Sequence, residues 1–339
     1  MVKRHSEYVT KEELFKIATS YPMNFSPGEQ WAYCDAGYQL LGFILEEISG
    51  MSYSDFLQHR IFDPLQMHDT QVNDINTVLK GRSEGYSWSN GVLSNARHWD
   101  MSWTWAAGSL ISNVVDLAKW DRALYGNNIL SKASLQEMWT PVTLNDGSAY
   151  PYGFAWDIQN VNGHSRVFHT GGIAGFNSCV YRLPNDGFTT IALLNEEAMY
   201  DPDPVMPAFL MASSITGLCE PSLAATAKRA IRDHSPKVTQ LAKNFLFQVM
   251  EGRPDKKLCS ESYWGQSSWE LPQYRGLLQH VLPCNSITLV DRQMSRGKTI
   301  DQYQLAFSST TFLFRVAMSS DHKIAEMSLV GEVTDPLIR

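Results

Sequence analysis

Apolar residues in the N-terminal part of the chain recur at the three- and four-residue spacing of amphipathic helices. Thr10 and Glu13 form a capping-box pattern, which predicts a first helix over about 11–20. The same spacing predicts four further helices: 35–49 with Asp35 as N-cap and Gly50 as stop, 52–63 ended by Pro64, 114–125 after the cap Asn113, and 132–138. The segment 69–107 is rich in Trp, Ser and Asn and has no sustained period, so we expect a long surface excursion there.

From Tyr152 the hydrophobic pattern changes to a period of two, which is typical of strands with one buried face. Apolar, β-branched and aromatic residues alternate in the segments GFAWDI, SRVFHT, NSCVYRL and TTIALLN. The sequence PNDG at 184–187 supplies the turn between the last two segments. We therefore predict an antiparallel meander in which one strand ends in the sequence HTGG at 169–172.

The pattern is interrupted between about 200 and 235. This segment begins with the sequence DPDP, after which we predict a short apolar helix and an Ala-rich charged helix. Beyond it we predict a helix over 238–250, an irregular stretch over 259–272, and strands in SITLVD, QYQLAF, FLFRVAM and KIAEMSLV. The predicted fold class is α+β. It consists of three parts: an antiparallel sheet flanked by helices over 1–205, linker helices over 206–235, and a small α+β domain with a curved antiparallel sheet over 236–339.

Charge and composition narrow the classes of ligand. The net charge is -7 and the sequence contains no run of Lys or Arg, which argues against a nucleic-acid or anionic-membrane partner and favours a small-molecule or peptide substrate. The five cysteines form no C-x-x-C pair, so we expect mostly buried thiols, with a bridge between Cys259 and Cys284 left open. The start MVKRHSEYVTKEEL has no apolar run, and no later stretch approaches about 20 apolar residues, so we expect neither a signal peptide nor a membrane span in this chain.

Two short motifs and their surroundings carry a family resemblance. The first is Tyr33-Cys34-Asp35, and the second is HTGG at 169–172. Further matching segments lie around them in order: Trp31, GYQLLG at 37–42, PL at 64–65, GY at 85–86, AAG at 106–108, DLA at 116–118, YGF at 152–154 and GF at 175–176. Over roughly residues 10–200 the chain resembles the serine β-lactamase-like hydrolases, which include class C β-lactamases, D-alanyl-D-alanine carboxypeptidases and related esterases. Members of this family are often periplasmic or extracellular, although this sequence itself does not fix the localisation.

The resemblance implies roles for six residues. They are Tyr33 and His169 as catalytic residues, and Asp35, Thr170, Gly171 and Gly172 as substrate-binding residues. Tyr33 matches the tyrosine of the family's Tyr-x-Asn element, which acts with a lysine as general base, and His169 stands at the first position of its Lys-Thr-Gly strand. Asp35 replaces an amide by a charged group, so we expect it to weaken contact with a substrate carbonyl and to raise the pKa of a neighbouring tyrosine.

Each of these residues also has a structural interpretation that the sequence leaves open. Tyr33 could pack beside Trp31, Asp35 could cap its helix, and His169 could be a half-buried strand residue. The glycines could serve a tight turn. His164 and His169 lie five residues apart on a predicted strand, so their side chains should point to opposite faces and we expect no shared metal.

The family's nucleophilic Ser-x-x-Lys does not occur ahead of Tyr33. It occurs as SRGK at 295–298 and SDHK at 320–323, but both lie in predicted hairpin connections, whereas the chemistry needs a serine and lysine one helical turn apart, so we interpret both as coincidental. Our first hypothesis is a serine hydrolase chain that lacks its nucleophile and is inactive alone. A missing N-terminal segment or a partner would then cover its exposed core. The alternatives are a pseudoenzyme that acts as a binding or regulatory module, and an unrelated structural or interaction protein.

The resemblance also implies the type of reaction. It is hydrolysis of an ester, peptide or lactam carbonyl through an acyl-enzyme, with no metal or organic cofactor. His169 in place of lysine removes a permanently charged partner for a substrate carboxylate. We therefore expect an esterase or peptidase rather than a β-lactamase.

Overall fold

The fold is described by a computed structural model. It covers residues 5–74, 77–89, 92–126, 129–161, 163–197, 207–223, 228–267, 271–279, 281–295, 297–308 and 310–333. The DPDP sequence at 201–204 lies outside these residues, as does Arg296 in the first of the two Ser-x-x-Lys sequences.

The helices fall into an N-terminal group and a C-terminal group. They are α1 (Lys11–Thr19), α2 (Asp35–Ser49), α3 (Tyr53–Leu57), α4 (Asp63–Leu65), α5 (Val114–Ala123), α6 (Lys132–Met138), α7 (Pro207–Cys219), α8 (Pro236–Met250), α9 (Glu261–Ser267) and α10 (Leu271–Gln279).

The strands form two four-stranded antiparallel sheets and several small ones. They are β1 (Gln71–Val72), β2 (Tyr86–Ser89), β3 (Val92–Asn95), β4 (Leu110–Ile111), β5 (Val142–Thr143), β6 (Ala149–Tyr150), β7 (Asp157–Val161), β8 (His164–Ile173), β9 (Phe176–Leu183), β10 (Phe188–Leu194), β11 (Glu196–Glu197), β12 (Cys284–Ser295), β13 (Lys298–Phe307), β14 (Thr311–Met318) and β15 (Ile324–Glu332). The first large sheet has the order β10-β9-β8-β7 and the second β12-β13-β14-β15. The predicted α+β class, with an antiparallel meander and a C-terminal sheet, is confirmed.

Capping chemistry explains why several helices begin where the sequence predicts. The hydroxyl of Thr10 accepts the backbone N–H of Glu13, whose carboxylate accepts the N–H of Thr10 in return. Asn113 caps α5 in the same manner through the N–H of Asp116. The predicted helix after Ser52 includes a π-helical turn at Gln58–Phe62 and ends with the short α4 at Leu65. Pro64 does not end it earlier, because proline is tolerated in the first turn of a helix.

Two C-terminal segments differ from the prediction. The stretch 259–272 was expected to be irregular, yet it contains α9 and the start of α10, because Leu271, Tyr274 and Leu278 recur at helical spacing and are buried. Residues 228–234 were expected to belong to an Ala-rich helix and form none. Their backbone instead bonds to the second large sheet, with the N–H of Ile231 donating to the carbonyl of Leu289.

One continuous hydrophobic core joins the two large sheets. It contains Phe168 from β8, Phe209 from α7, Phe245 from α8 and Phe314 from β14, each at most 7% exposed. Arg166 is completely buried between the sheets, and its Nη1 atom donates both to the hydroxyl of Tyr181 and to the carbonyl of Val330 in β15. The C-terminal sheet therefore supports the back of the strand that ends at His169.

The opposite side of the molecule is open. On α2, the side chains of Leu41, Ile44 and Ile48 are 52–81% exposed, while Gly42 packs against Trp105 and Ala106. A groove of about 2710 Å³ lies between this helical part and the first large sheet. All five cysteines are free, so the bridge left open by the sequence is not formed.

Candidate active site

Tyr33 lies in the extended segment that leads into α2. The helix begins at Asp35, and the preceding residue Cys34 has extended backbone angles with no side-chain capping bond. Asp35 is therefore the first helical residue and not the N-cap that we expected. Its carboxylate instead accepts a hydrogen bond from the hydroxyl of Tyr33. The helix N-terminus also favours a negative charge at this position.

β8 carries the second predicted motif and has a free edge at the site. β7 pairs with β8 only up to the partners Asp157 and Phe168, whereas β9 pairs with β8 as far as Ile173. On the β7 side, residues 169–173 have no strand partner among the described residues. A side chain would not fit at position 171, because a Cβ there would lie 2.5 Å from the Oγ of Ser178. An extended substrate could pair with this edge as an added strand.

His169 is held in one orientation by two hydrogen bonds. Its Nδ1 lies 2.7 Å from the carbonyl oxygen of Thr170, and its Nε2 lies 2.9 Å from the hydroxyl of Tyr152. Because a carbonyl accepts only, Nδ1 carries the proton, and the neutral ring therefore accepts the Tyr152 O–H at Nε2. Burial holds the pKa of His169 below its usual 6.5, although the Thr170 carbonyl and the Asp35 charge act against this. The imidazole is accordingly neutral at pH 7.

Three tyrosines surround the imidazole. Tyr38 lies close enough to Tyr152 to affect its pKa, and the ring of Tyr33 lies 6.1 Å from the ring of His169 between centroids. Burial, followed by the neighbouring Asp35, raises the pKa of Tyr33 well above 10, as we expected for a neighbouring aspartate. Burial and the neighbouring Tyr38 raise the pKa of Tyr152 further. Both phenols are thus proton donors at neutral pH.

A second carboxyl group, Asp157, lies at the start of β7. Burial raises its pKa to about 7, and the nearby Arg166 only partly offsets this effect. Its charge also raises the pKa values of Tyr33 and Tyr152. Strongly shifted acids in a cleft are typical of functional sites.

All six residues predicted from the sequence line the same groove. They are Tyr33, Asp35, His169, Thr170, Gly171 and Gly172. Sequence reasoning missed Tyr38, Tyr152 and Asp157, which line it as well. Tyr38 and Tyr152 lie in the matching segments GYQLLG and YGF, for which the resemblance implied no site role. No sequence pattern links these residues. The hydroxyl of Tyr152, for example, is hydrogen-bonded to His169, which lies 17 residues away on another element.

The remaining chemical candidates lie away from this groove. His164 pairs with Asp186 at 2.8 Å, so the two histidines considered for a shared metal have different partners. No group of three potential metal ligands occurs among the described residues. Ser295 and Lys298 are the paired end residues of β12 and β13, whereas SDHK at 320–323 lies in the β14–β15 connection, as expected. None of the described helices is long and apolar enough to cross a membrane.

An antiparallel sheet flanked by helices, with tyrosines and an imidazole at the free edge of one strand, defines the class of β-lactamase-like serine hydrolases. The chain belongs to the beta-lactamase family, because the family model described as Beta-lactamase matches residues 2–211.

Individual relatives agree with this assignment. Penicillin-binding protein 4* of Bacillus subtilis is 33% identical over 186 residues, which cover 51% of this chain and 41% of that protein. The human serine beta-lactamase-like protein LACTB, mitochondrial, is 31% identical over 201 residues, covering 51% of this chain and 37% of that protein. The chain therefore spans about two-fifths of the length of these curated relatives.

Solved structures show the same fold. A D-stereospecific amidohydrolase from Streptomyces sp. superposes with a TM-score of 0.50 and 26% identity, over 58% of this chain and 59% of that chain. The octameric penicillin-binding protein homologue from Pyrococcus abyssi superposes with a TM-score of 0.53 and 20% identity, over 91% of this chain and 60% of that chain. The second likeness concerns the fold alone.

Proposed function

We propose that the groove is the acyl-transfer site of a serine hydrolase that acts on an ester or amide carbonyl. Tyr33 passes a proton between nucleophile and leaving group, and His169 orients the acyl group. The substrate lies along the free edge formed by residues 169–173. The observation that carries the proposal is the hydrogen bond between Tyr152 and His169 beside Tyr33, at the free edge of residues 169–173 in β8.

No Ser-x-x-Lys sequence lies among the groove residues that the structure describes. Ser295 and Lys298 are the paired end residues of β12 and β13, and SDHK at 320–323 connects β14 to β15. We propose that the printed chain binds substrate but does not turn it over, and that a segment or partner carrying Ser-x-x-Lys completes the site. The exposed side chains of Leu41, Ile44 and Ile48 support this proposal, because an uncovered apolar face costs free energy in water.

The same proposal assigns roles to the two parts of the chain. Residues 1–205 form the catalytic unit and 236–339 an accessory unit, joined by 206–235. The shared core and the buried Arg166 support a rigid accessory unit that holds β8 in place. The relatives named D-aminopeptidase, at 24–25% identity, make an amide or peptide substrate a reasonable choice for this site.

The test begins with the transcript upstream of Met1 and compares two proteins. The printed chain and a chain extended by the natural upstream coding sequence are incubated with p-nitrophenyl acetate, phenylalanine amide and a serine-directed fluorophosphonate. We expect hydrolysis and serine labelling in the extended chain alone. Tyr33→Phe should lower its rate by about 10²–10⁴-fold, the usual contribution of a proton-transfer group, whereas the exposed Tyr8→Phe should leave it unchanged.

An extended chain that contains Ser-x-x-Lys, folds, and shows neither hydrolysis nor labelling would overturn the proposal. His169→Ala gives a second check. Because His169 changes charge below pH 6.5, its removal should change the pH dependence of the rate, and an identical profile would eliminate its proposed role.

A second candidate function is a binding or regulatory module without catalysis. The observation that favours it is the bond from Tyr33 to Asp35. A phenol that is buried and next to a carboxylate stays protonated and is a poor base. A stop codon immediately upstream of Met1, with no longer transcript, together with ligand binding by the printed chain, would support this candidate over the first.

A further inference from the structure

The Asp157 carboxyl lies in the groove and has no hydrogen-bond or ion-pair partner among the described residues. Asp157 forms an isolated backbone bridge with Tyr152 and lines the groove beside it. Its side chain makes no hydrogen bond or ion pair with the residues that the structure describes. Arg166 is close enough to act on its charge, but the guanidinium donates to Tyr181, Val330 and Gln159 instead. A half-buried carboxyl with no partner is costly, and a cationic ligand group would relieve that cost.

Asp35 places a second carboxylate at the same part of the groove. Its charge acts on both Tyr33 and His169, and the charge of Asp157 acts on Tyr33 and Tyr152. The two acids therefore both make the potential around Tyr33 more negative. The neutral His169 does not counter this potential.

Aromatic rings line the same groove as these acids. The ring of Trp31 stacks on Tyr150 at 3.9 Å and lies 5.0 Å from Tyr152, which in turn meets Tyr33 edge to face at 6.4 Å. All four rings line the groove. The faces of such rings attract ammonium groups, and the combination of rings and carboxylates is the usual way in which proteins bind them.

Basic side chains are poorly placed to bind an anion here. Among the described residues that line the groove, Arg315 is paired with Glu326 at 3.0 Å. The others, Lys80, Arg82 and Arg97, are exposed to solvent and come from the 77–99 segment. A substrate carboxylate beside Tyr33 would face Asp35 and Asp157 rather than a cation.

We propose that Asp157 and Asp35, together with the surrounding aromatic rings, bind the protonated amino group of the substrate. The substrate class is then an amide or peptide with a free amino group next to the reacting carbonyl, rather than one with a carboxylate there. This inference rests on the proposed function, because it takes the groove as the substrate site. It assigns Asp157 as a specificity residue that the sequence motifs do not indicate.

The test measures binding to the full 339-residue chain by calorimetry at pH 7.0, so it does not depend on turnover. The probes are phenylalanine amide, its neutral N-acetyl derivative and the anionic N-acetylphenylalanine. An α-amino group with a pKa of about 7.7–8.0 is mostly protonated at this pH. We expect the cationic amide to bind about tenfold more tightly than the neutral one, and the anion to bind least. Asp157→Asn should remove most of that preference, and Asp35→Asn part of it.

The matched control is Glu47→Gln, which removes an exposed carboxylate from the same helix as Asp35 but outside the groove. It should leave all three affinities unchanged. Equal binding of the cationic and neutral amides, or a preference that survives Asp157→Asn, would overturn the amine site while leaving the proposed function intact. If none of the three probes binds, the groove is not a substrate site, and both the proposed function and this inference fail.

Discussion

Two polar clusters in this chain use similar side chains but differ in whether their charged groups have hydrogen-bond or ion-pair partners. The groove cluster consists of Tyr33, Asp35, Tyr38, Tyr152, Asp157 and His169. The sheet cluster, in the C-terminal part, consists of Asp233, Thr239, Arg292, Asp301 and Tyr303. In the sheet cluster every charge has a partner, whereas the groove cluster contains a carboxyl without one and an imidazole kept neutral by burial.

The sheet cluster is built around one fork of hydrogen bonds. Arg292 binds Asp301 through two nitrogen atoms, at 2.7 and 2.6 Å, and also donates to Asp233 and Thr239. Tyr303 donates to the same completely buried Asp301 at 2.6 Å. Such a network stabilises one geometry and offers nothing to a ligand. The two clusters thus differ in whether the carboxyl has a partner among the described residues, and the proposed amine site depends on this difference.

The same substitution, aspartate to asparagine, should therefore have opposite effects in the two clusters. Asp301→Asn leaves the Arg292 charge largely buried beside a neutral amide. We expect a loss of about 3–5 kcal/mol in the free energy of unfolding, the usual cost of breaking a buried ion pair. Denaturant unfolding measures it, with the exposed Asp321→Asn as control. A loss below about 1 kcal/mol would mean that the sheet cluster is not structural.

Asp157→Asn should stabilise the chain at pH 8. The folded chain holds the Asp157 proton up to about pH 7, whereas a free aspartate releases it near 3.8, so stability falls as the pH rises between these values. The difference of about three pKa units corresponds to at most about 4 kcal/mol. Arg166, Tyr33, Tyr152 and Cys179 are the titratable groups that interact with this carboxyl, and the substitution leaves all of them in place.

The measurement is denaturant unfolding of both proteins at pH 5 and pH 8. The variant should gain more at pH 8 than at pH 5, because the wild-type carboxyl is still protonated at the lower pH. An equal gain in the free energy of unfolding at pH 5 and pH 8, or a loss at pH 8, would contradict the interpretation that the Asp157 carboxyl lacks a partner. Asp301→Asn should lower the free energy of unfolding and Asp157→Asn should raise it at pH 8. The sign of the change therefore distinguishes an aspartate that has a partner from one that has none.

Within the groove cluster, Tyr152→Phe should change the titration of His169. The Tyr152 hydroxyl donates to Nε2 only while the imidazole is neutral, so its loss removes support for the neutral form. We expect the pKa of His169 to rise, because one hydrogen bond of about 1 kcal/mol to the neutral form is lost. Nitrogen chemical shifts of His169 followed against pH report both the pKa and the tautomer. The control is Tyr8→Phe, and an unchanged titration would show that Tyr152 only fills space.

Much of the fold could be predicted from the sequence because local chemistry decides it. The capping atoms of Thr10 and Asn113 fix helix starts, and strict alternation marks β8 to β10 and β12 to β15. The prediction failed where partners distant in the chain decide the structure. Residues 228–234 follow the edge of a sheet instead of forming a helix, and Asp35 bonds to Tyr33 instead of capping α2.

Only part of the site could be predicted from the sequence, because partners distant in the chain decide the rest. Tyr33 and His169 lie in recognisable motifs, and the structure brings them to one groove. Asp157 carries no motif, and its raised pKa comes from burial at the end of a strand, which depends on the packed sheet. A carboxyl without a partner is visible only after the positions of all potential partners are known.

The smallest effect is expected at the far end of the groove, where Glu326 also lines the wall but is already paired with Arg315 at 3.0 Å. Because this pair is partly exposed, Glu326→Gln should cost less than about 1 kcal/mol in unfolding experiments. It should also leave the preference for phenylalanine amide over its N-acetyl derivative unchanged, since a paired carboxylate has little to offer an ammonium group. The comparison is direct, because Glu326 and Asp157 both contribute an acid to one groove and differ mainly in whether a partner is present. If Glu326→Gln reduced the preference as much as Asp157→Asn, the attraction would come from the overall charge of the groove, and the absence of a partner at Asp157 would not be its cause.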